Sequence, residues 1–271
     1  MPKVTWYIRL ATIAGVGSLL SLPACASNSS NSSIGSTRPL PSRNLVLIDA
    51  RTAAVSSDFP DIDGSAYGIA SVGAHGWYVG GDFSHVGDIE RPELAHLRKD
   101  GSLDTVFAPS LPNPDVFGLD DVLYHDGVVY AGGDFGVIAF DAKSGARLWQ
   151  TGTKDRAVIA LAYGGGVLYV CGNFKQIGGV ARAGIAALNT SNGKPTFWRV
   201  KLSGNVGGPH TISSLAFADG TVYFAGLFFA VNGVKRDLGL AAVSARTGLP
   251  TPWAPLPRAL QGSSATSTRC S

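Results

Sequence analysis

The chain has 271 residues, of which 45% are hydrophobic and 15% charged, with 35 glycines and 15 prolines; this is enough apolar material for a sizeable core, and the glycine content points to many tight turns. The formal net charge of +3 falls to +1 once Lys3 and Arg9 of the N-terminal segment are set aside, so composition offers no general electrostatic case for binding nucleic acid or an anionic membrane. Three cysteines exclude a disulfide scaffold.

Residues 1–24 carry Lys3 and Arg9 as their only charges, then an apolar run from Leu10 to Leu22 that is short for a membrane span. This pattern predicts an export signal. The Leu22-Pro23-Ala24-Cys25 segment resembles the lipobox of bacterial lipoproteins, which implies Cys25 as the lipidated first residue of an anchored chain; cleavage to a free secreted protein is the alternative. Residues 25–43, rich in Ser and Asn, hold too little apolar surface to fold and read as a flexible tether. Asn28 and Asn31 stand in N-x-S sequons, which matter only in a eukaryotic secretory route.

From there the chain repeats itself. Tyr78-Val79-Gly80-Gly81-Asp82-Phe83, Tyr130-Ala131-Gly132-Gly133-Asp134-Phe135, Tyr169-Val170-Cys171-Gly172-Asn173-Phe174 and Tyr223-Phe224-Ala225-Gly226-Leu227-Phe228 are four copies of one motif. Repeats of roughly 40 to 50 residues built from short strands and glycine turns predict a β-propeller. Each copy divides into four apolar segments, strands A to D of a meandering blade. In the third copy these are Val158 to Tyr163, Val167 to Phe174, Gly184 to Asn189 and Pro195 to Leu202. Glycine pairs such as Asp126-Gly127 and Asn192-Gly193 supply the positive φ that A–B and C–D hairpins require. Strand D ends in a ring in every copy, Phe107, Trp149, Trp198 and Trp253, which predicts packing between neighbouring sheets. Cys171 occupies a small-residue slot of a strand and reads as a buried thiol, with a bridge to Cys270 as the alternative.

Asn44 to Ala50 and Ala54 to Phe59 match strands C and D of an earlier unit. The predicted fold is therefore all-β, with four complete blades plus an N-terminal half blade over residues 44–257 and a polar tail at 258–271. Ring closure stays open: four blades with an extra hairpin, an open arc covered by a partner, and a truncated reading frame all fit.

Residues 78–109, YVGGDFSHVGDIERPELAHLRKDGSLDTVFAP, resemble the delta-60 type of bacterial extracellular β-propeller repeat; copies two to four, which lose the Ser-Leu-Asp segment, look more like quinoprotein-like and WD-repeat propellers. The resemblance implies a fold and an extracytoplasmic setting. It implies no cofactor, because the ligands of pyrroloquinoline quinone enzymes have no counterpart here.

In an A-B-C-D meander, the short A–B and C–D turns share one rim, while the D–A connections and B–C loops share the other. The second rim is the expected place for function. Blade two has no B–C loop, since Phe135 runs through Gly136 into strand C, and the resulting notch is a candidate peptide or glycan site. Arg91, Arg182 and Arg236 recur nine residues after the motif position of Asp82, Asn173 and Leu227, so a simple pairing with Asp82 does not account for them. Backbone carbonyls or an external ligand are the remaining partners, and these arginines are the candidate ligand-binding residues. Asp61 and Asp63 form a D-x-D-G fragment without the later oxygen ligands of a calcium loop, and the histidines lack zinc spacing, so no metal site is expected. No catalytic residue is assigned, because the linear enzyme signatures are missing. The expected function is that of an exported, lipid-anchored module that binds or scaffolds at the cell envelope, with an envelope protein or glycan as partner. The alternative is a glycan hydrolase or lyase in which Asp61, Glu90, Asp115 and Asp155 converge across the loop rim.

Overall fold

A computed structural model describes residues 19–20, 44–49, 51–55, 59–112, 118–204, 211–236 and 239–253. The expected tether, the tail and most of the export signal lie outside these residues. Among the described residues there is no α-helix; antiparallel strands and one 3-10 turn, Gly73–His75, make up the regular structure. The chain divides into two compact units, residues 1–151 and 152–271.

The first unit holds the half blade and blades one and two. Val46–Leu47 pairs with Leu19–Leu20, and a single bridge joins Ile48 to Val55 across a turn in which Asp49 accepts from the Arg51 and Thr52 amides. Blade one is Ala66–Ser71, Trp77–Gly81 and Leu94–Leu97. Blade two is Leu119–His125, Val128–Gly133, Gly136–Asp141 and Arg147–Thr151, paired in meander order. In the second unit, blade three is Val158–Gly164, Val167–Gly172 and Ile185–Asn189, and blade four is Ile212–Ala218, Thr221–Gly226 and Leu240–Ser244. Within each unit, strand A of the second blade packs on strands A and B of the first. These are propeller-type blades, and strands A to C fall where the repeat predicts them.

The motif glycine has a steric cause. A Cβ added at Gly81, Gly133, Gly172 or Gly226 would lie within 2.3 Å of the carbonyl oxygen of Ser65, Gly118, Ala157 or Thr211, just ahead of strand A. The same carbonyl accepts the next amide of strand B, from Asp82, Asp134, Asn173 and Leu227 respectively. Only glycine lets the two backbones approach this closely. Strand A carries a register shift at the equivalent point in all four blades, and such bulges add local twist.

Strand D departs from expectation in three blades. Blades one, three and four retain a single bridge each, Leu97 to Leu103, Leu188 to Pro195 and Val243 to Pro250. Pro195 and Pro250 have no amide to extend a ladder. One residue later, the side chains of Asp104, Thr196 and Thr251 accept the amide two positions on, from Val106, Trp198 and Trp253, and turn the chain out of the sheet. Blade two has neither device in Arg147–Thr151 and keeps four strands. Leu202, predicted as the last residue of strand D in blade three, forms a strand with Ser203 that pairs with Ala230–Val231 of blade four.

The D rings meet the strand B tyrosine of their own blade, and Phe107 and Trp198 are buried in the core between that blade and the next, as the repeat predicts. Phe107, Trp149, Trp198 and Trp253 lie 4.9, 5.9, 5.3 and 5.4 Å from the strand B tyrosines Tyr78, Tyr130, Tyr169 and Tyr223. Phe107 shares that core with Leu119, Val122 and Phe140 of blade two and Trp198 with Ile212, Leu215 and Val222 of blade four, and Trp198 Nε1 donates to the Ser244 carbonyl.

Candidate functional site

Three of the B–C segments are small hairpins: His85–Val86 with Ile89–Glu90, Gln176–Ile177 with Val180–Ala181, and Ala230–Val231 with Val234–Lys235. The D–A connection entering the blade adds a third edge, through an Ile62 to Val86 bridge, Thr153–Lys154 and Leu202–Ser203. The readable signal was a two-residue turn, Gly87-Asp88, Gly178-Gly179 or Asn232-Gly233, between apolar neighbours. Reading by strand period passes over it, because each arm is only two residues long.

The repeated arginines close these hairpins, and all three are buried. Arg91 donates through Nη1 to the Phe107 carbonyl. Arg182 donates to the carbonyls of Thr196 and Ala181 at 2.8 and 2.9 Å, and Arg236 to those of Thr251 and Lys235 at 3.0 and 2.9 Å. A planar fork suits two carbonyls on different strands. The guanidinium thus ties the hairpin to the D segment of its own blade, the segment whose ladder is broken. Burial, with Arg199 nearby, pulls the Arg182 pKa down from its ordinary value. Asp82 is engaged elsewhere, accepting from the Ser65 amide at 2.5 Å and the Tyr67 hydroxyl at 2.6 Å.

The other acidic candidates are dispersed in their bonding. Asp63 of the D-x-D-G fragment accepts the Ser84 and His85 amides and pairs with His85 Nδ1 at 2.9 Å. Its carboxyl is held at about 2, chiefly by the His85 amide. Glu90 sits on the outer arm of the same hairpin, exposed, and Asp155 approaches Lys175 at 3.8 Å in the second unit. Asp115, His210 and Cys270 lie outside the described residues, and Cys171 is fully buried. Among the described residues no cluster of three or more His, Cys, Asp or Glu side chains could hold a metal. At the predicted notch, blade two crosses from Gly133 to Gly136 through Asp134 and Phe135 alone.

A cleft of about 510 Å³ opens instead on the rim of short turns, between blades one and two. Its floor is a stack of rings, with Tyr78 4.5 Å from His96 and 5.7 Å from Tyr124. His96 Nδ1 lies 3.0 Å from Asp104 Oδ2, and Arg98 Nη2 donates to Asp104 Oδ1 at 2.7 Å. Burial pushes the Asp104 carboxyl up, but His96, the Val106 amide and the Arg98 charge outweigh it and hold the carboxyl below its ordinary value. His96 is 8% exposed, and its Nε2 is buried with no hydrogen-bond partner. His75, Asp141 and Lys143, from the A–B and C–D turns, border the opening. Motif searching missed this cluster, because its members come from two blades and match no linear pattern.

The model of the family described as outer membrane protein assembly factor BamB matches residues 126–268, just over half of the chain. The chain belongs to that family. A second model, described as a domain of unknown function of β-propeller type, matches residues 76–107, the copy that carries the Asp-Gly-Ser-Leu-Asp segment. No curated protein sequence matches. Among solved structures, BamB from Moraxella catarrhalis is similar at a TM-score of 0.51 and 17% identity, covering 77% of this chain and 58% of that one. The chain therefore spans less than two thirds of that protein. The computationally designed Ika4 protein is similar at a TM-score of 0.46 and 12% identity, over 69% of this chain and 94% of that one. A chain of the mitotic checkpoint complex is similar at 0.48 and 14%, over 85% and 61%. At its identity, the likeness to the BamB structure bears on the fold alone, and it agrees with the β-propeller class.

Proposed function

We propose that the chain is an exported β-propeller that binds or scaffolds other macromolecules at the cell envelope and is held there by a lipid on Cys25. The observation that carries this reading is the family match over residues 126–268, which falls on blades two to four and belongs to proteins described as an outer membrane protein assembly factor. The N-terminal sequence supports it, with an apolar run, a Leu-Pro-Ala-Cys segment and a Ser/Asn-rich tether ahead of the first blade. Rigid blades bearing short hairpins, each closed by a buried arginine, are a frame for presenting loops to a partner. In this reading Arg91, Arg182 and Arg236 act on a partner through the loops they hold.

Cell fractionation tests the proposal. The tagged full chain should sediment with the envelope, incorporate labelled fatty acid and cross-link in intact cells to an envelope protein, and Cys25→Ala should abolish the label and release the chain from the membrane. Recovery of the wild-type chain in the cytosolic fraction would sink the envelope reading. Membrane retention of the Cys25→Ala chain would remove the lipid anchor and leave the binding role standing.

A further inference from the structure

The internal repeat provides its own comparison for the cleft. The strand C residue paired with the motif tyrosine is Ala139 opposite Tyr130, Ala187 opposite Tyr169 and Ala242 opposite Tyr223, but His96 opposite Tyr78. The residue whose amide returns to that position is Thr196 in blade three and Thr251 in blade four, but Asp104 in blade one. Arg98 likewise stands where the equivalent strand C residues, Asp141, Asn189 and Ser244, fold back to cap their own turns. Blades made with alanine and threonine have the same pairing, so the fold does not require an imidazole, a carboxylate and a guanidinium here. They cost desolvation in a half-buried place. Together they line a cavity large enough for a small molecule.

We propose that this cleft binds a saccharide unit, with Asp141 and Lys143 as its polar contacts, the His96 ring at its floor and Tyr124 and Val106 as its apolar walls. The chemistry of the lining selects this class. Both charge signs are present: Lys143 makes no ion pair among the described residues, and Asp141 spends Oδ1 on the Ser144 amide and hydroxyl. An anion meets Asp141, and a cation meets Arg98 and Lys143. A neutral ligand with several hydroxyls meets neither penalty, because a hydroxyl donates to a carboxylate and accepts from an ammonium. The C–H face of a sugar ring packs on aromatic and aliphatic walls. The site goes beyond the envelope reading, since a chain released from the membrane would bind the same ligand.

Saturation-transfer NMR on the full chain tests the assignment with glucose, galactose, N-acetylglucosamine and their β-linked disaccharides, and separately with solubilised peptidoglycan fragments. Acetate and lysine serve as charged controls. At least one saccharide should receive saturation, and His96→Ala, which installs the residue found in the other three blades, should weaken it by at least tenfold. If His96→Ala does not fold, the double change His96→Ala with Asp104→Thr reproduces the blade-three pair and replaces it. Transfer to free sugars points to a small-molecule site, and transfer to fragments alone points to a polymer end; either supports the proposal. No transfer to any saccharide, equal binding by the variants, or binding of acetate or lysine in place of sugars overturns it.

Discussion

The hydroxyl of Tyr78 in blade one donates to the carbonyl of Ala142 in blade two at 2.6 Å, and Tyr169 in blade three makes the equivalent bond to Ala245 in blade four at 3.0 Å. Each spans more than sixty residues of sequence and joins two blades at the short-turn rim. Burial raises the pKa of both phenols above the ordinary tyrosine value, so each stays a donor across the physiological range. Tyr78→Phe keeps the ring stack and leaves the Ala142 carbonyl without its donor. The expected cost is about 1–2 kcal/mol, read as a lower urea midpoint with an unchanged slope. An unchanged midpoint would mean that the bond contributes nothing net.

Gly172→Ala tests the close approach of strands A and B, because the new Cβ would sit 2.1 Å from the Ala157 carbonyl. Either the bulge or the following amide bond must give way, at roughly 1–3 kcal/mol. Gly152→Ala is the matched control, with nothing within 4 Å of its added Cβ, and it should stay within about 0.5 kcal/mol of wild type. Equal stability of the two variants in thermal melts would contradict the steric account of the motif.

Arg182→Lys should fail to replace arginine. An ammonium cannot span the carbonyls of Thr196 and Ala181 as the guanidinium does. Each bond from a charged donor is worth about 1.5–3 kcal/mol, so both Arg182→Lys and Arg182→Ala should destabilise blade three. Amide exchange of the Gln176–Ile177 and Val180–Ala181 hairpin should speed up in both. Protection unchanged in the lysine variant would show that charge alone suffices.

Acid should loosen the hairpin of blade one first. Asp63 titrates at about 2 in the folded chain, below its ordinary 3.8. A depressed carboxylate contributes stability above the unfolded value, and that contribution is lost as pH falls from about 4 to 2. Asp63 is nearly half exposed, so solvent screening holds its worth to roughly 1 kcal/mol or less. Protection of the Ser84 and His85 amides, taken against the intrinsic exchange rate at each pH, should fall across that window, and Asp63→Asn should flatten the profile. A wild-type profile with no step there would refute the cap.

The repeat motif was legible because its causes are local and recur. Strands A, B and C follow from apolar alternation between glycine turns, and the motif glycine marks the same collision with the chain ahead of strand A four times over. That the repeated arginines needed a partner other than Asp82 was also readable, since two of the four copies lack the aspartate. Which groups they would reach was not, because Phe107, Thr196 and Thr251 lie some fifteen residues downstream on a segment whose course depends on leaving the sheet.

Sequence by itself determined the blade as the building unit, the all-β class and the positions of the tight turns, because hydrophobic period and positive φ act over a few residues. Tertiary structure decided where the D segments of blades one, three and four leave their sheets, how the D–A connection joins the next B–C hairpin, and that His96, Arg98 and Asp104 meet Tyr78 and Tyr124 in one cleft. Those outcomes rest on carbonyls, rings and charges brought together from distant parts of the chain, and their geometry exists only once the blades have packed.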